Sequence, residues 1–251
     1  DENAGEKYAA DVQRIIEDLD KEGKAPAVFI CETLLGVGGQ IPLPKNYLKT
    51  VYNHVRKSGG VCIADEVQVG FGRVGDAFWG FELQDAVPDI IVLGKPIGNG
   101  HPLAAVIVTN EIADAFNNGL EYFNTFGGNP VSMTTGLAVL DVIQEEEMQE
   151  HAKEVGNHLM DGLRKLMEKY PIISDVRGHG LFIGAEMVKD RITMEPEIPE
   201  IDKKKKKMKE KGYLLSTDGP LHNVLKIKPP MPFNKQNADE MVLFLDVILS
   251  E

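Results

Sequence analysis

Four short apolar runs punctuate the first half of the chain: AVFIC at 27–31, GVCIA at 60–64, DIIVL at 89–93 and AAVIVT at 104–109. β-branched runs of this length, bounded by Gly or Pro, predict buried strands. Between the first two lies NYLKTVYNHVRKSGG. Its Tyr47, Val51 and Val55 recur at helical spacing, and Gly59 and Gly60 end it. Strand, helix, strand in that order predicts a βαβ unit, and with it a parallel sheet. The opening stretch EKYAADVQRIIEDL also reads as a helix. Asn129 as N-cap and Pro130 as first helical residue start another. Met148, Ala152, Val155, Leu159, Leu163, Leu166 and Tyr170 then step by threes and fours, which predicts one long amphipathic helix over 148–170.

Beyond that helix the texture changes. LFIGAEMV at 181–188, YLLS at 213–216 and NVLKIK at 223–228 read as short strands, and NADEMVLFLDVILS closes the chain with helical periodicity. The pattern divides the chain into an α/β part with a mostly parallel sheet, 1–150, and a smaller α+β part, 151–251.

Composition narrows the function classes. The 251 residues are 43 % hydrophobic, ample for a core. A formal charge of -12 argues against an electrostatic grip on nucleic acid or an anionic membrane. No apolar run approaches the ~20 residues of a membrane span. Cys31 and Cys62 each sit inside an apolar run and read as buried thiols of a reducing compartment, not as a disulfide or metal site. The lysine run Lys203–Lys207 reads as a solvated helix face. The chain opens on Asp1 and runs directly into a helix, so it reads as the later part of a longer protein. Cytosol and mitochondrion both fit as compartments.

The candidate chemistry lies where strands end. The first ends at Glu32, the second at Asp65, the third at Gly94 followed by Lys95. Ligands of open parallel sheets bind beyond the carboxyl ends of the strands. Alone, each polar residue is ordinary at a strand end. Together, an acid and a lysine suit pyridoxal 5'-phosphate (PLP), whose pyridine nitrogen needs an anion and whose aldehyde needs an amine. GFGRVG at 70–75 matches G-x-G-x-x-G literally, but DEVQV separates it from the strand and no helix opens on its last glycine. No P-loop, H-E-x-x-H, C-x-x-C or G-x-S-x-G pattern is present.

Three blocks in order, IADEVQVGFGR, GKPIGNGHP and FNTFGGNP, resemble the class III (ornithine/GABA-type) aminotransferases. The resemblance runs from FICETLLGVGGQ to NVLKIKPPM. Within that family the blocks VQVGFGRVGDAFWGF, GKPIGNGHPLA, EYFNTFGGNPVS and NVLKIKPPM are most similar to the phospho-lyases of phosphoethanolamine and 5-phosphohydroxylysine. The resemblance implies the PLP-dependent transferase fold type I, here as part of the large domain plus a small C-terminal α+β domain, and a homodimer with shared active sites.

It also implies roles. Asp65 would partner the PLP pyridine nitrogen, Gln68 the ring hydroxyl, and Lys95 would form the Schiff base. Thr125 would donate to the cofactor phosphate across the subunit interface. Glu32 matches a glutamate near the substrate, although Thr33 stands where the family block has proline. Lys226 occupies the position of a carboxylate-binding arginine, and a lysine there suits a substrate recognised by its phosphate. The reaction implied is elimination of phosphate and ammonia from a phosphorylated amine. Transamination is the alternative, and a PLP-fold subunit with only a binding role is the second. The cofactor-phosphate loop and the ring-stacking aromatic block of the family have no counterpart in the chain, so on its own it is expected to be inactive and to bind PLP weakly or not at all unless a partner supplies the missing part.

Overall fold

The computed structural model describes residues 2–251. The elements in chain order are α1 (Ala4–Lys21), β1 (Val28–Glu32), β2 (Leu34–Leu35), β3 (Ile41–Pro42), α2 (Tyr47–Lys57), β4 (Val61–Asp65), β5 (Ile90–Leu93), β6 (Ala105–Val108), α3 (Asn110–Phe116), α4 (Pro130–Glu145), α5 (Met148–Lys169), β7 (Ile173–His179), β8 (Phe182–Asp190), β9 (Glu195–Pro196), α6 (Ile198–Glu210), β10 (Ser216–Asp218), β11 (Val224–Ile227) and α7 (Lys235–Ser250). They form two compact units. One comprises the chain to Thr33, Leu43–Phe71 and Trp79–Glu146; the other comprises Leu34–Pro42, Gly72–Phe78 and Glu147–Glu251.

The first unit holds a four-stranded sheet in the order β1-β4-β5-β6. β1, β4 and β5 run parallel, and β6 closes the sheet antiparallel to β5. The predicted βαβ unit is β1–α2–β4. Leu48, Val51, Tyr52 and Val55 of α2 are buried in one cluster with Ala9 and Ile16 of α1 and Cys62 of β4, with Phe29 and Cys31 of β1 packed against it. Strand alternation sends the intervening residues to the opposite face. There Val28, Ile30, Val106 and Val108 are exposed.

The second unit is built on an antiparallel sheet, β10-β11-β8-β7, with β9 paired to β8. Ile183, Ala185, Met187, Leu225 and Ile227 are buried in one core with Leu159 and Leu163 of α5 and Met241 and Leu245 of α7. The strand expected at 213–216 begins only at Ser216. Tyr213 and Leu215 pack against the core instead, and the Tyr213 hydroxyl donates to Glu240 at 2.8 Å. β7 was not anticipated, because ISDVRGH offers only Ile173 and Val176 to the interior. The lysine run lies on α6, where Lys205 pairs with Asp202 at 2.8 Å one turn away.

The glycine-rich loop finds its explanation in this unit. Gly72 and Gly75 have φ of 75° and 78°, and a Cβ at Gly75 would fall 2.6 Å from the Lys153 Cα of α5. The glycines permit a tight turn pressed against a helix. Arg73 between them donates to the carbonyls of Leu181 at 3.1 Å and Pro229 at 2.8 Å. Burial pulls its pKa down to about 10. Among the described residues, no helix is long and apolar enough to cross a membrane.

Candidate active site

The parallel register aligns Glu32 with Asp65, and Asp65 with Val92. Glu32 and Asp65 therefore stand side by side at the carboxyl ends of β1 and β4. Both belong to the face that carries the exposed Val28 and Ile30. Asp65 is half-buried, and its Oδ1 accepts from the Val67 N–H at 3.0 Å. Gln68, nearly buried, donates from Nε2 to Glu32 Oε1 at 3.1 Å. Three of the sequence-predicted residues thus meet at two neighbouring strand ends.

Lys95 follows β5, the strand on the other side of β4. Its side chain is exposed and its φ is +33°. A left-handed backbone is unfavourable for a residue with a Cβ, and a following proline restricts the residue before it further. Strain of this kind persists where surrounding structure imposes it, and it concentrates at functional sites. The segment after Lys95 is tied to α4 by His101, whose Nε2 lies 2.8 Å from Ser132 Oγ. Asn129 caps α4 by accepting from the Ser132 N–H at 3.0 Å, as its sequence position predicts. Thr125 lies in the exposed loop that leads into this cap.

Glu66, next to Asp65, points the other way and is fully buried. Its Oε1 accepts from Thr33 Oγ1 and the Phe81 N–H, and its Oε2 from the Gly80 N–H, each at 2.9 Å. Burial nevertheless pushes its carboxyl up to about 7. Sequence reading assigned Glu66 no role. Strand alternation was the available signal: if Asp65 faces one side, Glu66 must face the other.

Lys226 lies in the second unit, on β11. Its ammonium is 2.7 Å from Asp218 Oδ2, an oxygen that also accepts from Gln40 Nε2 at 2.8 Å. Neither partner was anticipated. The two cysteines are held as thiols by burial, Cys31 pushed up to about 11 and Cys62 to about 12. No cluster able to hold a metal occurs among the described residues.

The donor set fits one cofactor chemistry. A carboxylate suits a pyridinium, a primary amine suits an aldehyde, and a side-chain amide suits a ring hydroxyl. A largely parallel sheet that brings such groups to adjoining strand ends is the arrangement a PLP site of fold type I calls for. The family follows: a sequence model of Aminotransferase class-III matches residues 1–249, and the chain belongs to that family. It is 48 % identical to alanine–glyoxylate aminotransferase 2-like of Drosophila melanogaster, over 97 % of this chain and 50 % of that protein. It is 44 % identical to ethanolamine-phosphate phospho-lyase homolog 1 of Caenorhabditis elegans, over 98 % of this chain and 54 % of that protein. The chain thus spans about half the length of the curated relatives it matches. Among solved structures, a phospholyase from Arthrobacter in complex with phosphoethanolamine matches with TM-score 0.94 and 36 % identity, over 98 % of this chain and 58 % of that one. A Bacillus anthracis aminotransferase matches with TM-score 0.89 and 33 % identity, over 96 % and 56 %.

Proposed function

We propose that the protein carrying this chain is a PLP-dependent phospho-lyase that releases phosphate and ammonia from a phosphorylated amine such as phosphoethanolamine. The observation that carries this reading is the placement of Asp65 and Lys95 beyond adjacent strands of a fold that resembles a phospholyase bound to phosphoethanolamine. PLP, when bound, supplies an electron sink for the charge that develops on the amine-bearing carbon of the substrate.

The chain's own residues do the rest. Asp65 holds a negative charge against the pyridine nitrogen, and the Val67 N–H fixes that carboxylate in place. Gln68, oriented by Glu32, addresses the ring hydroxyl. Lys95 would supply the amine that meets the cofactor aldehyde, and that amine would accept the proton of the substrate's amine-bearing carbon. The neighbouring C–O bond then breaks and phosphate leaves. Water completes the balance, giving an aldehyde, ammonia and inorganic phosphate. Thr125 donates to the cofactor phosphate from the partner subunit of a homodimer. Glu32 and Lys226 address the substrate. Lys226 does so as a cation already shared with Asp218, which weakens its hold on a carboxylate and leaves phosphate, with its greater charge, as the better competitor.

Transamination is the second reading, favoured by the aminotransferase names of the Drosophila and Bacillus relatives. Assay of phosphate release from phosphoethanolamine beside keto-acid-dependent amino transfer separates them. Phosphate release without a keto acid supports the lyase, whereas amino transfer without phosphate release overturns it.

A further inference from the structure

Directly behind the candidate site lies a second row of side chains. Glu32 and Asp65 face one side of the sheet; the residues that follow them, Thr33 and Glu66, face the other and bond to each other at 2.9 Å. Thr33 is 2 % exposed and Glu66 is 0 % exposed. Every polar group of Glu66 is engaged. Its N–H donates to the Val92 carbonyl of the β5 strand, its carbonyl accepts from the Gly70 N–H, and its carboxylate takes three donors. The knot is sterically tight as well. A Cβ at Gly80 would fall 2.3 Å from Thr33 Oγ1.

We infer that Thr33 and Glu66 are positioning residues that lock the ends of β1 and β4 together and so fix Glu32 and Asp65 toward cofactor and substrate. The inference rests on the PLP reading of Asp65 and adds to it the device that sets the acid's orientation. A one-residue slip between the two strand ends would turn Asp65 to the wrong face, and the Thr33–Glu66 bond joins the strands at the point where the ladder stops. Because both groups are buried, no water can replace the hydroxyl if it is lost.

The test uses the PLP-loaded protein that carries this chain, with Thr33→Val and Thr33→Ser, read by the PLP dissociation constant and by the absorbance band of PLP bound at Lys95. Measurements are made well below the melting temperature. Thr33→Val is expected to weaken PLP about threefold to tenfold and to alter the band, while Thr33→Ser stays close to wild type. A Thr33→Val protein that melts lower yet keeps wild-type affinity and band has lost stability only, and overturns the positioning role. If the wild-type band does not depend on Lys95, the cofactor reading falls and the pair's role falls with it. A normal wild-type band that Thr33→Val leaves unmoved overturns the pair alone.

Discussion

On the antiparallel sheet, Ile183, Ala185 and Met187 are fully buried; on the mostly parallel sheet, Ile30 and Val106 keep 59 % and 62 % of their surface exposed. The antiparallel strands have α5 and α7 over their apolar face and complete a core among themselves. The parallel strands have α1 and α2 over one face, while the other, with Glu32 and Asp65 at its rim, is lined by uncovered valine and isoleucine. Parallel sheets are ordinarily covered on both faces. One unit therefore spends its sequence on packing. The other keeps its candidate site beside an apolar surface that its own elements leave open.

The contrast is sharpest at the reactive residues. Lys95→Ala is expected to abolish both activity and the Lys95-dependent PLP absorbance without lowering the melting temperature, because Lys95 is exposed and backbone-strained. Retention of that absorbance would remove Lys95 from the site. Asp65→Asn preserves shape but not charge, and turnover is expected to fall on the order of 10²-fold with little change in stability; turnover near wild type would mean that the acid does not serve the cofactor.

A stability pair tests the contrast between the sheets directly. Ile183→Ala is expected to cost about 2 to 5 kcal/mol in denaturant unfolding. Ile30→Ala should stay within roughly 0.5 kcal/mol, as at an exposed position. Equal losses at both would show that the open face is covered in the assembled protein. Glu66 adds a dependence on pH. Its carboxyl titrates near 7 when folded, against 4.5 as its ordinary value. Between those values the folded state holds the extra proton, so stability rises as pH falls through 7 and levels off below 4.5. The slope just below pH 7 should be on the order of 1 kcal/mol per pH unit, and Glu66→Gln should flatten it.

Much of the first unit could be read in advance, because β-branched runs, Gly and Pro boundaries and the Asn129 cap are local signals. The strand ends at Glu32 and Asp65 followed from the same pattern. β7 stayed hidden because its neighbours, not its own composition, make it a strand; its partner β8 supplies the apolar register. The start at Ser216 is likewise set by pairing with Lys226. Thr33 with Glu66, and Asp218 with Lys226, are separated by 33 and 8 positions, and the local pattern around each names no partner. The first pairing is fixed by topology and the second by the register of a hairpin, and only the folded chain displays them.

Arg73 has a consequence for the response to salt. Its guanidinium holds the glycine turn through two neutral carbonyl oxygens. Exposed pairs such as Lys203 with Glu200 weaken as mobile ions crowd around them. A bond from a sheltered fork to peptide oxygens has no opposite charge for those ions to screen, so this rivet should keep its strength in concentrated brine.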